Sequence, residues 1–420
     1  MRPLIFHVDA NSAFLSWTAA YQVNVLGQEL DLRTVPSVIA GNKETRQGIV
    51  LAKSIPAKKF GIQTGERIGQ ALQKCPELIV QPPDYPLYVE ASRHFVDLLR
   101  SVAPVVEQYS IDEAYADMTS VPAAAEDPFG FADELRERVH KELGFTVNVG
   151  VSSDKLLAKM AGNFQKPDRV HTLFPDEIEE KLWPLGVREL FLVGPATERK
   201  LQYYGIRTIG ELANADPLFL RSRLGKQGEV LWRYANGKSG ERVSDSVVLN
   251  KGYGNAATTV CDVTDRDTAH RLLLSLTETV CARMRFDGQS GALVTVSLRS
   301  RDFEDFTHQR LLGSYTNVTS EVWRAACAVF DEAWDAVTPL RQLGVQVSRL
   351  VRGSCRQYDL FSGAHIDRLE HLDSTVDAIR AKYGEDAIYR ACFVNDCFAP
   401  MGGGLHKSRR TGVTKPVPAG

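Results

Sequence analysis

The sequence holds few cysteines, almost no net charge and no long apolar run. Its 7 cysteines include no C-x-x-C pair, which argues against a disulfide framework or a zinc site and is typical of a reducing cytoplasm. No apolar run approaches the roughly 20 residues that a membrane span needs. The opening MRPLIFHVD predicts a buried strand rather than a signal peptide. We therefore expect a cytoplasmic protein with no membrane segment.

The formal net charge of −2 gives no global attraction to a polyanion. Any nucleic-acid surface must therefore come from local basic patches. What the sequence does have is the composition of an ordinary soluble globular protein, 44% hydrophobic and 24% charged. At 420 residues the chain is too long for one core, so two to four domains are expected.

The first half of the chain predicts an antiparallel sheet with helices on one face. The apolar run PLIFHVD ends at Asp9, and cap-type residues lead from it into an amphipathic helix that contains Phe14. After a polar insert at residues 41–69 come a helix, a strand pair that holds Asp112 and Glu113, a second helix and the strand FTVNVGVS. Without the insert, this order is a split β-α-β arrangement.

The second half predicts another α+β unit. Short helices with tight turns occupy residues 182–212, and a polar linker follows at residues 238–252. The next elements, in the order strand, helix, strand, strand, helix, strand, are again ferredoxin-like. A helix at residues 365–383 and a basic tail, rich in glycine and proline and expected to be disordered, complete the chain.

Within the second unit, the strand LVTVSLRSR alternates sharply between its two faces. Apolar side chains occupy one face, and the other carries hydroxyl groups together with Arg299 and Arg301. The simpler interpretation is a half-buried strand with a solvated face. The same flat row of hydroxyls and guanidinium groups would also suit contacts to nucleic-acid phosphates.

Three carboxylates are the strongest candidates for chemistry. Asp9 ends the first strand, while Asp112 and Glu113 lie in the central hairpin, which neighbours that strand in a split β-α-β sheet. Acids that close raise each other's pKa unless a cation offsets them, and oxygen ligands select a hard cation such as Mg²⁺. Two such ions would form a clamp for phosphoryl transfer. The alternative is a hairpin corner with both acids in water.

A phosphate-bearing substrate also needs positive charge. The amides of residues 11–14 lie at the start of a predicted helix, where an anion can bind. Positive side chains are available in the insert and after the last strand of the first unit, at Lys53, Lys58, Lys59, Lys155 and Lys166. Any single surface lysine is usually only solvated, so it is their grouping that favours a phosphate site.

Four segments together carry a family resemblance: HVDANSAF, YSIDEAY, GVSSDKLLAKMAGNFQKPD and LVGPATERKLQYYGIRTIGELA. In order and spacing they resemble a Y-family DNA polymerase of the error-tolerant DinB/UmuC (polymerase IV and V) class, over about Ile5 to Ile379. The resemblance implies an α+β, multidomain, right-hand polymerase with a ferredoxin-like palm, small fingers, a helical helix-hairpin-helix thumb and a ferredoxin-like little finger. The implied domains are the palm (residues 1–36 and 70–168), fingers (37–69), thumb (169–237), linker (238–251), little finger (252–352), a clamp-binding motif with its helix (353–384) and a tail (385–420).

By the same resemblance, the catalytic residues and metal carboxylates fall on Asp9, Asp112 and Glu113, with the carbonyl of Ala10 as a further metal ligand. Two Mg²⁺ ions, for which Mn²⁺ can substitute, are the implied cofactors.

The implied substrate-binding residues are Asn11, Phe14, Lys58 and Lys166. Phe14 falls on the steric gate, the aromatic residue that leaves no room for a ribose 2′-OH, and its alternative role is that of a helix core residue. Lys166 falls on the lysine that contacts the triphosphate.

Two departures from the family pattern stand out. DinB-type enzymes carry Tyr and Arg in the fingers where this chain has Ile55 and Lys58, and lysine lacks the bidentate fork of arginine. This favours the polymerase V side of the class. In the thumb, the usual Gly-x-Gly hairpin is Leu192-Val193-Gly194, which leaves Gly194 as the candidate backbone contact to DNA, beside Arg299 and Arg301 in the little finger.

The segment RQYDLF resembles a bacterial sliding-clamp-binding peptide, with Gln357, Leu360 and Phe361 as its contacts. Local packing is the alternative. Its place directly after the little finger favours the clamp.

The resemblance implies a template-directed DNA polymerase, a nucleotidyltransferase that adds dNTPs to a primer 3′ end across damaged template. Its implied partners are primer-template DNA, dNTPs and the sliding clamp, and the protein is expected to be a monomer. One alternative is a nucleotidyl cyclase on the same palm, which would have no use for thumb turns or a clamp motif. Another is a non-enzymatic DNA- and clamp-binding polymerase relative, against which the three retained carboxylates argue.

Overall fold

A computed structural model describes residues 3–42, 46, 48–246, 250–353, 363–384 and 387–394. The chain divides into two compact units. Of the described residues, the first unit comprises 3–40 and 50–246, and the second comprises 41, 42, 46, 48, 49, 250–353, 363–384 and 387–394. In the part of the chain that is described, no helix is long and apolar enough to cross a bilayer.

The first unit contains eight strands and eleven α-helices among its described residues. Its strands are β1 (Ile5–Ala10), β2 (Ser37–Ala40), β3 (Val50–Lys53), β4 (Ile79–Gln81), β5 (Val105–Gln108), β6 (Glu113–Asp117), β7 (Val147–Ser152) and β8 (Val170–Thr172). Its helices are α1 (Ala13–Asn24), α2 (Ile55–Lys59), α3 (Ile68–Lys74), α4 (Tyr85–Arg100), α5 (Pro122–Glu126), α6 (Pro128–Leu143), α7 (Lys155–Gly162), α8 (Pro195–Tyr203), α9 (Ile209–Ala213), α10 (Pro217–Leu224) and α11 (Lys226–Ala235).

The main sheet of this unit has the order β5-β6-β1-β7-β8. The central strand β1 runs antiparallel to both β6 and β7, which is the split β-α-β arrangement predicted from the sequence. Alternate residues of β1 face opposite sides of the sheet. Phe6, Val8 and Ala10 enter the main core, which also holds buried residues of α1, α4 and α6.

The opposite face of β1 carries Ile5, His7 and Asp9, and α7 packs against it. Ile5 contacts Ala158 of α7 in a small separate cluster. Helix α7 is buried along its whole length, including the side chains of Lys155 and Lys159. Helix α7 thus covers the face of β1 that carries His7 and Asp9, and it contributes two buried lysines to this side of the sheet.

Two further cores complete the first unit. The small sheet β3-β2-β4 packs with α2 and α3 around a core that extends to Cys75 and Leu78, beyond residue 69, where the fingers were predicted to end. Residues 156–235 form a helical core of their own. Its hairpin before α8 passes through Leu192 at a φ of 70°, the left-handed conformation that glycine adopts most easily. Leu192 therefore keeps, at some strain, the turn for which the family has glycine.

The second unit repeats the predicted element order. Its elements are β9 (Gly252–Val263), α12 (Arg266–Phe286), β10 (Gln289–Ser300), β11 (Asp305–Thr316), α13 (Thr319–Ala333), β12 (Leu340–Arg352) and α14 (Gly363–Tyr383). The strands lie in the order β11-β10-β12-β9. In the first unit the second strand of the repeat lies at the sheet edge, whereas here the second strand, β10, lies inside and pairs with both β11 and β12.

The alternation predicted for β10 is present as far as Ser300, where the strand ends, so Arg301 lies in the following turn and not on the polar face as predicted. Val294, Val296 and Leu298 are buried in the core of the second unit, and Arg299 lies on the half-buried opposite face. The polar face of the strand is thus available for contacts outside the core.

Helix α14 is held against α12 by charged pairs. Arg285 of α12 contacts Asp377 at 2.6 Å and Asp373 at 3.2 Å. Glu278 of α12 accepts from Arg380 at 3.1 Å and from Arg390 at 2.5 Å. Asp373 and Arg380 are both buried, so ion pairs rather than an apolar stripe form the centre of this contact.

Candidate active site

The site is built on the face of β1 that α7 covers. Asp9 lies directly opposite Glu113 in the register of β1 and β6. Opposed residues on neighbouring strands project to the same side of a sheet, and His7, two residues before Asp9, shares that side. The fold thus brings together Asp9 and Glu113, which are far apart in the sequence, as predicted.

Asp112 lies in the turn just before β6 rather than in the strand. Its carbonyl accepts from the amide of Ala10 at 2.9 Å, and its carboxylate accepts from the Ser110 hydroxyl at 2.6 Å. Because β6 begins at Glu113, strand alternation does not force the two neighbouring acids to opposite faces. Both are half-buried, so the alternative of a hairpin corner with both acids fully in water does not hold.

Glu113 is the most tightly bound of the three carboxylates. Its Oε2 accepts from His7 Nε2 at 2.7 Å and from the ammonium group of Lys159. Burial alone would raise the pKa of Glu113, but the hydrogen bonds from His7 and Lys159 outweigh it and lower the pKa to about 2. Glu113 is therefore a carboxylate at any physiological pH.

His7 is fully buried, and burial lowers its pKa. A neutral imidazole that donates from Nε2 to the ionised Glu113 leaves Nδ1 as an acceptor. Nδ1 is buried and has no hydrogen-bond partner in the part of the chain that the structure describes. His7 thus donates one hydrogen bond, from Nε2, and this bond orients the Glu113 carboxylate.

Lys159 is the functional candidate that the sequence analysis missed. Its ammonium group lies 4.9 Å from the ring centre of Tyr109 and 5.3 Å from that of Phe191, besides contacting Glu113. Lys155, which had been grouped with the phosphate-binding lysines, is buried and instead pairs with Glu107 at 2.8 Å. Lys159 follows Lys155 by four residues and so lies on the same side of α7. This spacing is the one sequence signal that indicated Lys159 as a candidate.

Asp9 pairs with Lys166, the predicted triphosphate lysine. Lys166 lies in the loop between α7 and β8 and is partly exposed. Its side chain therefore meets the Asp9 carboxylate near the end of β1. The structure places the two residues together, and the role of Lys166 toward a triphosphate stays a prediction.

The donor set fits a hard divalent cation, because Asp9, Asp112, Glu113 and the Ala10 carbonyl supply only oxygen. Burial raises the pKa of Asp112, the hydrogen bond from Ser110 opposes this, and the nearby carboxylates of Asp9 and Glu113 raise it further. Within the described ranges, however, no three His, Cys, Asp or Glu side chains are arranged to hold a metal ion. Two of the three carboxylates are turned toward lysine ammonium groups instead.

Phe14 occupies the first turn of α1 and is half-buried. Its ring stacks on Tyr88, with ring centres 4.4 Å apart and planes 8° apart. The side chain also packs against the main core. Phe14 thus has a core-facing side, as its alternative role required, while part of the side chain stays accessible.

At the expected anion site at the start of α1, one of the amides of residues 11–14 is already bonded within the protein. The amide of Asn11 donates to the carbonyl of Thr146 at 3.0 Å, so it is not available to an anion. The side chain of Asn11 is buried and is bonded within the protein. Asn11 therefore does not present a free group to a substrate.

The insert lysines differ in their exposure. Lys58 is exposed on α2 and Ile55 begins that helix with its side chain 47% exposed. Lys53 donates to the carbonyl of Ile62 at 2.6 Å. Of the insert lysines, Lys58 and Lys59 both keep exposed side chains suited to a ligand.

The candidate DNA contacts lie outside this site. Gly194 caps the start of α8, and a side chain at that position would meet no atom within 4 Å. In the second unit, Arg299 makes a two-point ion pair with Asp305 at 2.7 and 2.8 Å, and Arg301 lies 3.8 Å from Asp262 and is 73% exposed. The clamp-binding candidates Gln357, Leu360 and Phe361 lie outside the described residues.

Comparisons with known proteins bear on the whole chain. The model of the impB/mucB/samB family matches residues 8–163, and the model of that family's C-terminal domain matches residues 250–360. A DNA polymerase IV from Clostridium acetobutylicum is 43% identical over 391 residues, covering 93% of this chain and 98% of the relative. A DNA polymerase IV from Acetivibrio thermocellus is 34% identical over 400 residues, covering 94% of this chain and 98% of the relative.

The solved structures agree on the fold. A Y-family DNA polymerase chimera superposes with a TM-score of 0.73 over 83% of this chain and 100% of its own, at 22% identity. The predicted fold class is confirmed. The relatives carry the name polymerase IV, although Ile55 and Lys58 had favoured the polymerase V side. With relatives this similar over nearly the full chain and with this fold, the chain belongs to the Y-family of DNA polymerases.

Proposed function

We propose that this DNA-directed DNA polymerase of the translesion type performs its chemistry at Asp9, Asp112 and Glu113, with Mg²⁺ as the cofactor. The observation that carries the proposal is the register of β1 and β6, which sets Asp9 opposite Glu113 with Asp112 in the adjoining turn. The three carboxylates and the Ala10 carbonyl would hold two Mg²⁺ ions, or Mn²⁺ in their place. When bound, such ions polarise the reacting phosphate and lower the pKa of the attacking hydroxyl.

The surrounding residues have distinct parts in this proposal. Lys166 places positive charge at the end of β1, where the triphosphate of an incoming dNTP would be neutralised. Lys58 contributes a further positive charge from α2. Phe14 sets its accessible ring edge against the sugar and excludes a 2′-OH by occupying its space. Lys159 and His7 hold the Glu113 carboxylate in one orientation.

The roles of the domains, and the contacts to DNA and to the sliding clamp, are those that the family resemblance implies. Residues 1–36 and 70–168 serve as palm, 37–69 as fingers, 169–237 as thumb and 252–352 as little finger, with a linker at 238–251. Gly194, Arg299 and Arg301 contact the backbone of primer-template DNA without reading its sequence. Gln357, Leu360 and Phe361 bind the sliding clamp of a monomeric, cytoplasmic enzyme, and tethering raises residence on DNA without new chemistry. A non-enzymatic DNA- and clamp-binding protein is not favoured.

Primer extension tests the proposal. The purified chain, a primer annealed to an undamaged or abasic template, dNTPs and Mg²⁺ should give template-dependent extension on both templates. Chelation of divalent cations should stop it, and Mn²⁺ should restore it. Binding of the same DNA with no extension under either cation would contradict the proposal and favour a non-enzymatic role.

A further inference from the structure

A buried pair of asparagines lies behind the loop that carries Lys166. Asn148 lies on β7 opposite Asp9 in the strand register, and Asn11 follows the end of β1. The side-chain amide of Asn11 donates to the Asn148 side-chain oxygen at 2.9 Å. Asn148 is fully buried and Asn11 is 9% exposed.

The outer ends of this pair bind the chain on both sides of Lys166. The Asn148 amide donates to the carbonyl of Gln165 at 2.7 Å and to that of Gly162 at 3.2 Å. The Asn11 oxygen accepts from the backbone amide of Asp168 at 2.9 Å. The residues just before and just after the Lys166–Pro167 dipeptide are therefore both bonded to one rigid pair.

A third contact fixes the far end of the loop. Asp168 has a left-handed φ of 59°, and its carboxylate accepts from Arg136 of α6 at 2.7 Å. Lys166 itself is partly exposed and reaches Asp9. The Lys166 side chain thus extends from a segment whose backbone is held on both sides.

Core packing alone does not account for two asparagines here. A buried amide is costly unless it is hydrogen-bonded, and an apolar pair of the same size would fill the space without that cost. Only a side chain with both a donor and an acceptor can bridge a carbonyl on one side and an amide on the other. The chemistry of the pair therefore matches the loop rather than the core.

We propose that Asn11 and Asn148 are positioning residues that hold the Lys166 loop and so set the affinity for the triphosphate of the incoming dNTP. The proposal rests on the triphosphate role of Lys166 given above. It also replaces the direct substrate contact that the sequence suggested for Asn11.

The test compares Asn148→Leu, which is nearly isosteric, with the parent enzyme. The KM for dNTP should rise about 10-fold while kcat and the Kd for primer-template change less than about 3-fold, since the loop contacts the triphosphate rather than DNA. Hydrogen–deuterium exchange of peptides covering residues 163–169 should become faster. Asn148→Ser keeps one hydroxyl donor, so its KM should lie between those of the parent and Asn148→Leu. It replaces Asn148→Leu in the test if that variant folds poorly. Ser152→Ala on the same strand, which removes the buried bond to the Leu173 carbonyl, should leave the KM unchanged.

A double-mutant cycle with Lys166→Met separates positioning from general damage. If Asn148 acts through Lys166, adding Asn148→Leu to Lys166→Met should change the KM less than about 2-fold. A further rise of about 10-fold in that background, or unchanged loop exchange in Asn148→Leu, would overturn the positioning role. An unchanged KM in Lys166→Met alone would instead overturn the triphosphate role on which it rests.

Discussion

At the scale of single residues, the site is defined by which cation each carboxylate faces. Asp9 pairs with Lys166 and Glu113 with Lys159, while the Asp112 carboxylate accepts a hydrogen bond from the Ser110 hydroxyl. The sequence predicted the three acids but not this division, because Lys155 and Lys159 lie on the same buried helix and their sequence spacing does not say which carboxylate each meets. Packing of α7 on the sheet decides it, and this depends on contacts between residues 48 and 46 positions apart.

The pairing predicts that Lys159→Met slows chemistry. Glu113 would lose its cationic partner, its pKa would rise from about 2, and its carboxylate would be held only by His7. We expect single-turnover dNTP incorporation to fall by roughly 10- to 100-fold, the range for a misplaced charged group. Lys159→Arg keeps the charge and should lose less.

Lys155→Met is the matched control on the same helix. It removes the partner of Glu107, so the melting temperature should fall while the incorporation rate stays near that of the parent. Equal loss of rate in the two methionine variants would mean that Lys159 acts only through the stability of α7.

Phe14 should contribute to both stability and selectivity. Because its ring stacks on Tyr88 at 4.4 Å and is only half-buried, Phe14→Ala should cost about 2–3 kcal/mol, below the usual cost for a fully buried ring. Ribonucleotide insertion relative to deoxyribonucleotide insertion should rise on the order of 10²-fold. The measurement is kcat/KM for both nucleotides beside the melting temperature.

Phe95→Leu provides the comparison for Phe14. Phe95 is fully buried in the same core, so this variant should lower the melting temperature without altering the nucleotide ratio. If Phe14→Ala behaves in the same way, Phe14 is a core residue only.

At the scale of elements, α14 shows what pattern analysis cannot find. The sequence predicted the helix, but its buried positions include Asp373 and Arg380, which a hydrophobic periodicity does not mark. Docking arises instead from complementary charges on α12, a helix about 90 residues earlier in the chain. The same limit applies to β10, where alternation predicted the two faces but not the neighbouring strands.

We predict that Arg285→Met loosens α14. The change leaves Asp373 buried without its cation, and breaking a buried pair in this way costs about 3–5 kcal/mol. Hydrogen–deuterium exchange should accelerate in peptides covering residues 363–383. Arg283→Met, on the same helix beside Tyr253, should leave these peptides protected. Unchanged exchange in Arg285→Met would show that apolar contacts hold the helix.

Two arginines at the end of β10 give a graded prediction for DNA binding: Arg299 lies on its polar face and Arg301 in the turn that follows. Arg301 is 73% exposed, so Arg301→Ala should weaken primer-template binding and flatten its salt dependence by about one phosphate contact. Arg299 is already neutralised by Asp305, and Arg299→Ala should have a smaller effect. Asp305→Asn should strengthen binding by releasing Arg299. If all three variants bind primer-template with the affinity and salt dependence of the parent, these arginines do not contact DNA.

At the scale of the whole molecule, the sequence predicted two α+β units and their element order, and the structure has both. It did not predict that the same order of elements gives two different sheets, β5-β6-β1-β7-β8 and β11-β10-β12-β9. Alternation determines which side chains face the core, whereas the choice of neighbouring strands depends on long-range pairing. The left-handed Leu192 is a similar case, since a turn imposed by its surroundings overrides local preference.

The candidate site was the most predictable part because it follows from topology. Once β1 is placed beside the hairpin, Asp9 must meet Glu113. Lys159, His7 and Asn148 were not predicted, because none of them has a sequence signal of its own role. Lys166 and Asn11 were named, but their pairing with Asp9 and Asn148 was not.

The most direct test of the account is the single-turnover rate of dNTP incorporation by Asp112→Asn and Glu113→Gln. Both substitutions keep the size of the side chain and remove its charge. We predict a fall of at least about 10²-fold in each, because charge stabilisation in the transition state is lost. The affinity for primer-template and the melting temperature should stay near those of the parent. Near-normal incorporation by both variants would contradict the account and leave Asp112 and Glu113 as structural residues of the hairpin.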